Sequence, residues 1–135
     1  MLHPGGSIGA SLIKVADIMH KGLELPYITE DALMSDVILS MTSHGFGCAA
    51  IVNQEGDLVG IVTDGDLRRH MSSDLLLKSA REVMTKNPVT IKVTAIAAEA
   101  LSKMNSRSIT SLFVMDSDKV VGIVHIHDCL RAGIK

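Results

Sequence analysis

Apolar residues along this chain follow two alternating periods. Leu25 to Thr29, Cys48 to Val52 and Leu58 to Thr63 are short runs of mainly aliphatic and β-branched side chains, the pattern of strands. Between the first two runs, Leu33, Val37 and Met41 recur every fourth residue, which places them on one apolar face of a helix. Ser43-His44-Gly45 reads as the stop of that helix. The polar stretch Asn53-Gln54-Glu55-Gly56-Asp57 joins the last two runs as a hairpin turn, and a short helix is predicted to begin at Asp64 or Gly65.

The same order then returns. Val89 to Val93 is strand-like, Ile96, Ala100 and Met104 share a helical face, and Ser106-Arg107-Ser108 is the stop. Leu112 to Met115 and Val120 to His125 flank the turn Asp116-Ser117-Asp118-Lys119, ahead of a helix at Ile126 or His127. Individual phrases recur too. Asp17-Ile18-Met19 is answered by Glu82-Val83-Met84, Leu58-Val59-Gly60-Ile61-Val62 by Val120-Val121-Gly122-Ile123-Val124, and Asp66-Leu67-Arg68 by Asp128-Cys129-Leu130-Arg131. The offset falls from 65 at the start to 62 at the end, so the second copy is three residues shorter. A repeat constrains the architecture that its elements satisfy. The expectation is an α+β fold, β-α-β-β-α twice, whose halves bury their bare sheet faces against one another with pseudo-twofold symmetry. The predicted boundaries are a linker over 1–14, a first motif over 15–72 and a second over 80–135.

Composition narrows the partners. With 135 residues, 47% hydrophobic and 21% charged, the chain has the balance of a globular domain and not of a disordered one. Only Tyr27, Phe46 and Phe113 are aromatic and the net charge is −2, which argues against nucleic acid, whose binders combine basic surface with stacking rings. Cys48 and Cys129 lack C-x-x-C spacing and read as buried reduced thiols. No apolar run reaches the roughly 18 residues a bilayer needs, and Met1-Leu2-His3-Pro4-Gly5-Gly6 has no leader pattern, so no membrane and a cytoplasmic location are expected.

The order of elements, with Gly60-Ile61-Val62-Thr63-Asp64-Gly65-Asp66 at the last strand and helix, resembles the CBS domain pair, also called a Bateman module, from about Val15 to the end. That resemblance implies a nucleotide lying in clefts between the motifs, an Asp holding ribose hydroxyls and a Ser or Thr three residues earlier near a phosphate; Asp66 and Thr63 fill these positions. A helix start also presents unpaired N–H groups to an anion. Thr63-x-x-Asp66 equally has the form of a capping box that only stabilises a helix start, and both readings stand. In the second copy Asp128 keeps the carboxylate, while His125 replaces the hydroxyl, so the two clefts are expected to differ. His125 and His127 are two apart, which leaves a metal pair or a phosphate-facing, pH-sensitive histidine open, and no metal is assigned. Gly47, Cys48 and Ala49, with Thr110 and Ser111, precede or open the second strand of each copy, where small residues admit a base; an ordinary turn is the alternative. Arg68, Arg69 and Arg131 lie in the final helices as phosphate or carboxylate partners, or as a solvated face.

The junction His3-Pro4-Gly5-Gly6-Ser7-Ile8-Gly9, Thr63-Asp64-Gly65-Asp66-Leu67-Arg68-Arg69 and Gly122-Ile123-Val124-His125-Ile126-His127-Asp128-Cys129-Leu130-Arg131-Ala132-Gly133 are similar to the regulatory tail of arabinose-5-phosphate isomerases. This implies a parent enzyme that interconverts ribulose 5-phosphate and arabinose 5-phosphate on the way to Kdo, with its sugar-isomerase domain upstream of His3. No nucleophile and base are arranged for catalysis, and no catalytic residue or cofactor is assigned. The expected ligand is a nucleotide or nucleotide sugar, CMP-Kdo first and AMP or ATP as the alternative. Further expected partners are the isomerase domain itself and a second copy in a homodimer, with tetramers in the parent; pure assembly is the rival role.

Overall fold

The structure, a computed structural model, describes residues 12–134; His3 and the junction at residues 3–9 lie outside the described residues. In chain order the elements are α1 (Val15–Ile18), β1 (Tyr27–Thr29), α2 (Met34–His44), β2 (Cys48–Val52), β3 (Leu58–Thr63) and α3 (Asp64–Arg69). They continue as α4 (Ala80–Val83), β4 (Thr85–Lys86), β5 (Thr90–Lys92), α5 (Ala97–Arg107), β6 (Ser111–Asp116), β7 (Lys119–His125) and α6 (Ile126–Arg131). Strands β2 and β3 have the predicted bounds, α2 and α5 begin and stop within a residue or two of the expected places, and α3 and α6 begin where expected. The fold is α+β with two small sheets, in the orders β1-β2-β3-β4 and β5-β6-β7. Among the described residues no helix is long and apolar enough to cross a membrane.

The chain divides into two compact units that cross the boundaries of the sequence repeat. One holds Leu23–Pro88 with Asp118–Val120, and the other holds the described residues up to Gly22 with Val89–Ser117 and those from Val121 on. Each lead-in segment therefore packs with the body of the other copy. Ala80 and Val83 of α4 are buried with Met34, Val37, Met41, Ala49, Ile51 and Val62. Val15 of α1 is buried with Ile91, Ala97, Ala100, Met104, Leu112 and Val124. Each valine, leucine, isoleucine or methionine side chain removed from water contributes about 1.5–3 kcal/mol and each alanine methyl less, enough for a four-residue helix to be fixed by packing when its propensity cannot fix it.

This exchange alters the predicted helical faces. Leu33 and Ile96 stand at the N-caps in extended conformation, 44% and 40% exposed, and the buried stripes begin one residue later at Met34 and Ala97. The reason is backbone supply: the Met34 N–H donates to Lys78 O at 2.8 Å and the Ala97 N–H to Ile13 O at 2.7 Å, so the exchanged segments satisfy the first helical donors. At the far ends Gly45 (φ 76°) and Ser108 (φ 55°) adopt the left-handed conformation that terminates a helix.

The glycine of the repeated Val-Gly-Ile-Val phrase makes the exchange possible. A Cβ on Gly60 would lie 2.6 Å from Met84 Sδ and 2.9 Å from Thr85 O. One on Gly122 would lie 2.9 Å from Met19 Cγ and 3.0 Å from His20 O. In each unit the methionine of the lead-in segment fills the space that a side chain on the strand would need. The residue after that methionine is thereby carried to the strand-to-helix junction.

Candidate functional site

Each unit builds a cluster around one buried carboxylate at this junction. In the first, β3 runs into α3 through Thr63, whose N–H and hydroxyl donate to Asp66 Oδ2 at 2.9 and 3.1 Å. The Asp66 N–H returns a bond to Thr63 Oγ1 at 3.3 Å, which completes the capping box. Asp66 Oδ1 accepts from Thr85 Oγ1 at 2.6 Å and from the Arg69 guanidinium. Asp66 is 2% exposed. Burial pushes its pKa up, but the hydrogen bonds from Thr85, the Thr63 N–H, Arg69 and the Thr63 hydroxyl outweigh that effect, and the net shift is downward.

The second unit repeats the plan with imidazoles. The His125 N–H donates to Asp128 Oδ2 at 2.8 Å and Arg131 donates to Oδ1 at 2.6 Å. His20 Nε2 lies 2.9 and 3.0 Å from the two Asp128 oxygens, and since a carboxylate only accepts, this nitrogen carries the proton. The His127 N–H donates to His125 Nδ1 at 3.0 Å, so an imidazole replaces a hydroxyl as the helix cap. The His125 and His127 rings stack with centroids 4.8 Å apart. Burial and the neighbouring His127 push the His125 pKa down, helped by Arg131 and His20 and opposed by Asp128. Among the described residues no group of three or more His, Cys, Asp or Glu has the arrangement to hold a metal ion.

The expected site residues divide accordingly. Thr63 with Asp66, and His125 with Asp128, come together. Arg68 is exposed, and Arg69 is the residue that meets Asp66, because three positions along a helix bring two side chains to the same face whereas two do not. Ala49 is fully buried in the core with Ile51 and Val62. Cys48 pairs with Thr63 across β2 and β3 and so adjoins the cluster, and Gly47 lies near Asp64. Thr110 is exposed and its carbonyl accepts from the Ile126 N–H at 2.8 Å. Among the described residues the Ser111 Oγ is buried without a hydrogen-bond partner, an arrangement that calls for a polar atom from elsewhere. Reading the sequence missed Thr85 and His20. Their signal was present, since each directly follows the Met of a paired lead-in phrase.

Doubled β-α-β-β-α units with a capped Asp at each final helix define the class, and the CBS domain profile matches residues 15–73 and 80–135; the chain belongs to the CBS domain family. Over 98% of its length it is 42% identical to arabinose 5-phosphate isomerase KdsD of Escherichia coli K12 and 41% identical to KdsD of Yersinia pestis. The chain spans 41% of the length of each of these relatives. Among solved structures it is similar to the CBS domain pair of protein MJ0100 in complex with 5′-methylthioadenosine and S-adenosyl-L-methionine, at 27% identity and TM-score 0.76, covering 87% of this chain and 93% of that one. It also shares its fold with CBSX2 in complex with AMP, at 20% identity and TM-score 0.77, covering 90% of this chain and 96% of that one.

Proposed function

We propose that this chain is the ligand-sensing part of an arabinose 5-phosphate isomerase and that it responds to a nucleotide or nucleotide sugar. The observation that carries the reading is the doubled cluster: a buried Asp, an Arg one turn on and a capping donor stand at the same junction in both units. A carboxylate held in this way is a fit acceptor for a vicinal diol. Arg69 is well exposed, so it can leave Asp66 Oδ1 to a ribose hydroxyl and turn to a phosphate. Thr63, Gly47 and Cys48 in one unit and His125, Thr110 and Ser111 in the other border the ligand. CMP-Kdo is the favoured ligand, because it combines a ribose diol for Asp66, a phosphate for Thr63 and Arg69, and a sugar carboxylate for Arg68 or a histidine. In the longer protein the isomerase domain interconverts ribulose 5-phosphate and arabinose 5-phosphate, and the end product acts back through a difference in affinity between two arrangements of the pair.

Isothermal titration with CMP-Kdo, CMP, AMP and ATP tests this. Binding of CMP-Kdo that is lost in Asp66→Ala supports the reading, and no heat with either cytidine compound overturns it. Tighter binding of AMP or ATP moves the assignment to an adenine-nucleotide sensor, the second reading, which the adenosine-type ligands of the MJ0100 pair favour. The exposed Leu23, Leu39, Leu76 and Leu77 favour an assembly role, as a dimer here and a tetramer in the longer enzyme. Light scattering that shows a dimer indifferent to every nucleotide supports assembly over sensing.

A further inference from the structure

The two clusters differ at the helix cap, Thr63 against His125, and at the residue after the lead-in methionine, Thr85 in one and His20 in the other. Thr85 offers Asp66 one hydroxyl, on Oδ1 alone. His20 spans both oxygens of Asp128. We infer that His20 is a positioning residue that gates Asp128 by its proton: the imidazolium clamps both carboxylate oxygens against an incoming diol, the neutral ring yields to it, and Asp66, held by Thr85, has no such gate. This rests on the reading of Asp66 and Asp128 as diol acceptors.

The surroundings single out His20 as the titrating partner. The backbone of His20 is fixed by a reciprocal pair of bonds with Ile123, 2.8 and 2.9 Å, so its side chain alone has to move. From α6, Arg131 also donates to Asp128 Oδ1 at 2.6 Å. His127, on the same helix, engages His125 through its backbone and its ring. His125, at the end of β7, uses Nδ1 as a cap acceptor, so a proton there would break the helix cap. From α1, Asp17 accepts from the Lys14 N–H, and from α5, Lys103 donates to Thr90 O. Between α5 and α6 the Cys129 thiol donates to Ala97 O at 3.9 Å. A hydrogen bond from a charged donor is about twice as strong as one from a neutral donor, so protonating His20 should weaken diol binding at Asp128 roughly five- to tenfold.

The test uses adenosine and cytidine, neutral nucleosides that carry the diol without a phosphate, titrated at pH 6 and pH 8 with amide and histidine-ring NMR signals as the readout. In the wild-type chain, binding reported by Asp128 and its neighbours is expected to be roughly five- to tenfold weaker at pH 6. His20→Gln keeps a donor but cannot titrate, and should abolish that ratio; Thr85→His should create it at Asp66. A wild-type ratio that His20→Gln leaves unchanged overturns the gate while sparing the diol reading. Failure of both nucleosides to bind either unit at either pH overturns the diol reading and the gate with it. In the ligand-free chain, Asp128→Asn removes the carboxylate that favours the protonated ring and should lower the proton affinity of His20; an unchanged titration also overturns the gate.

Discussion

Replacing Gly122 by alanine puts a methyl group where the lead-in segment already is. The new carbon would stand 2.9 Å from Met19 Cγ and 3.0 Å from the backbone oxygen of His20, with Met19 Sδ closer still. Carbon atoms pack best about 3.5–4.0 Å apart, so each contact is short by about half an ångström or more. The methionine can rotate away. The carbonyl cannot, because His20 and Ile123 exchange backbone hydrogen bonds of 2.8 and 2.9 Å. Overpacking of this kind costs about 1–3 kcal/mol. At about 4 °C per kcal/mol for a chain of this size, the thermal midpoint should fall by about 4–12 °C. Gly60→Ala should behave alike, since its Cβ would meet Thr85 O at 2.9 Å. Gly65→Ala in α3 is the control: the nearest atom, 3.3 Å away, is the mobile end of Arg69, and alanine favours the helix. Melting followed by circular dichroism reads all three. If Gly122→Ala melts together with the wild type, the account of the lead-in segments as wedged against glycine strands is refuted.

Other outcomes follow from the same contacts. Thr85→Val removes a donor from a buried carboxylate and should cost about 1.5–3 kcal/mol in urea unfolding; an unchanged midpoint would show that Asp66 does not need it. The Asp66 pKa is shifted down on folding, so its contribution to stability is complete above the ordinary carboxylate value, about 4, and is lost as pH falls below that through the folded value. Acid unfolding should show this loss, and Asp66→Asn should remove it. For His125 the shift is also downward, so the stabilisation is complete above about 6.5 and is lost as pH falls through the folded value; a ring titration at or above 6.5 by NMR would contradict the cap geometry. Burial, with Asp64 nearby, pushes the Cys48 thiol up to about 12, and burial with Asp128 raises Cys129. At pH 8 neither should react with a thiol reagent until the chain is unfolded, and rapid labelling of the native protein would be evidence against both.

The parts of the fold legible in the sequence are those fixed by near neighbours. Strands β2 and β3 are bounded by a turn in which Asn53 Oδ1 accepts from the N–H groups of Glu55 and Asp57, and such chemistry shows in the residue types. Helices α2 and α5 show their period over eleven residues each. By contrast α4 has four residues and β4 has two, too few for any period, and their place depends on a glycine in a distant strand. All five residues of β2 are buried, so alternation along Cys48–Val52 cannot tell its two faces apart. His20 and Thr85 lie 108 and 19 positions from the carboxylates they serve, and only superposing the two copies reveals them as equivalents. Arg69 was within reach of local reasoning, since it stands three residues after Asp66 as Arg131 does after Asp128.

The two readings of Thr63-x-x-Asp66, helix cap and ligand holder, do not compete for the same atoms. The cap uses Oδ2, which accepts from the Thr63 N–H and hydroxyl, while Oδ1 takes Thr85 and an exposed Arg69. The cap therefore fixes the direction of the carboxylate and leaves one oxygen whose donors can be exchanged for those of a diol. In the second unit His20 spans both oxygens, so the separation is lost and a ligand at Asp128 must contend with the group that also orients it. On the reading of both carboxylates as diol acceptors, it is the exchange of Thr85 for His20 that would make Asp128, unlike Asp66, answer to the proton as well as to the ligand.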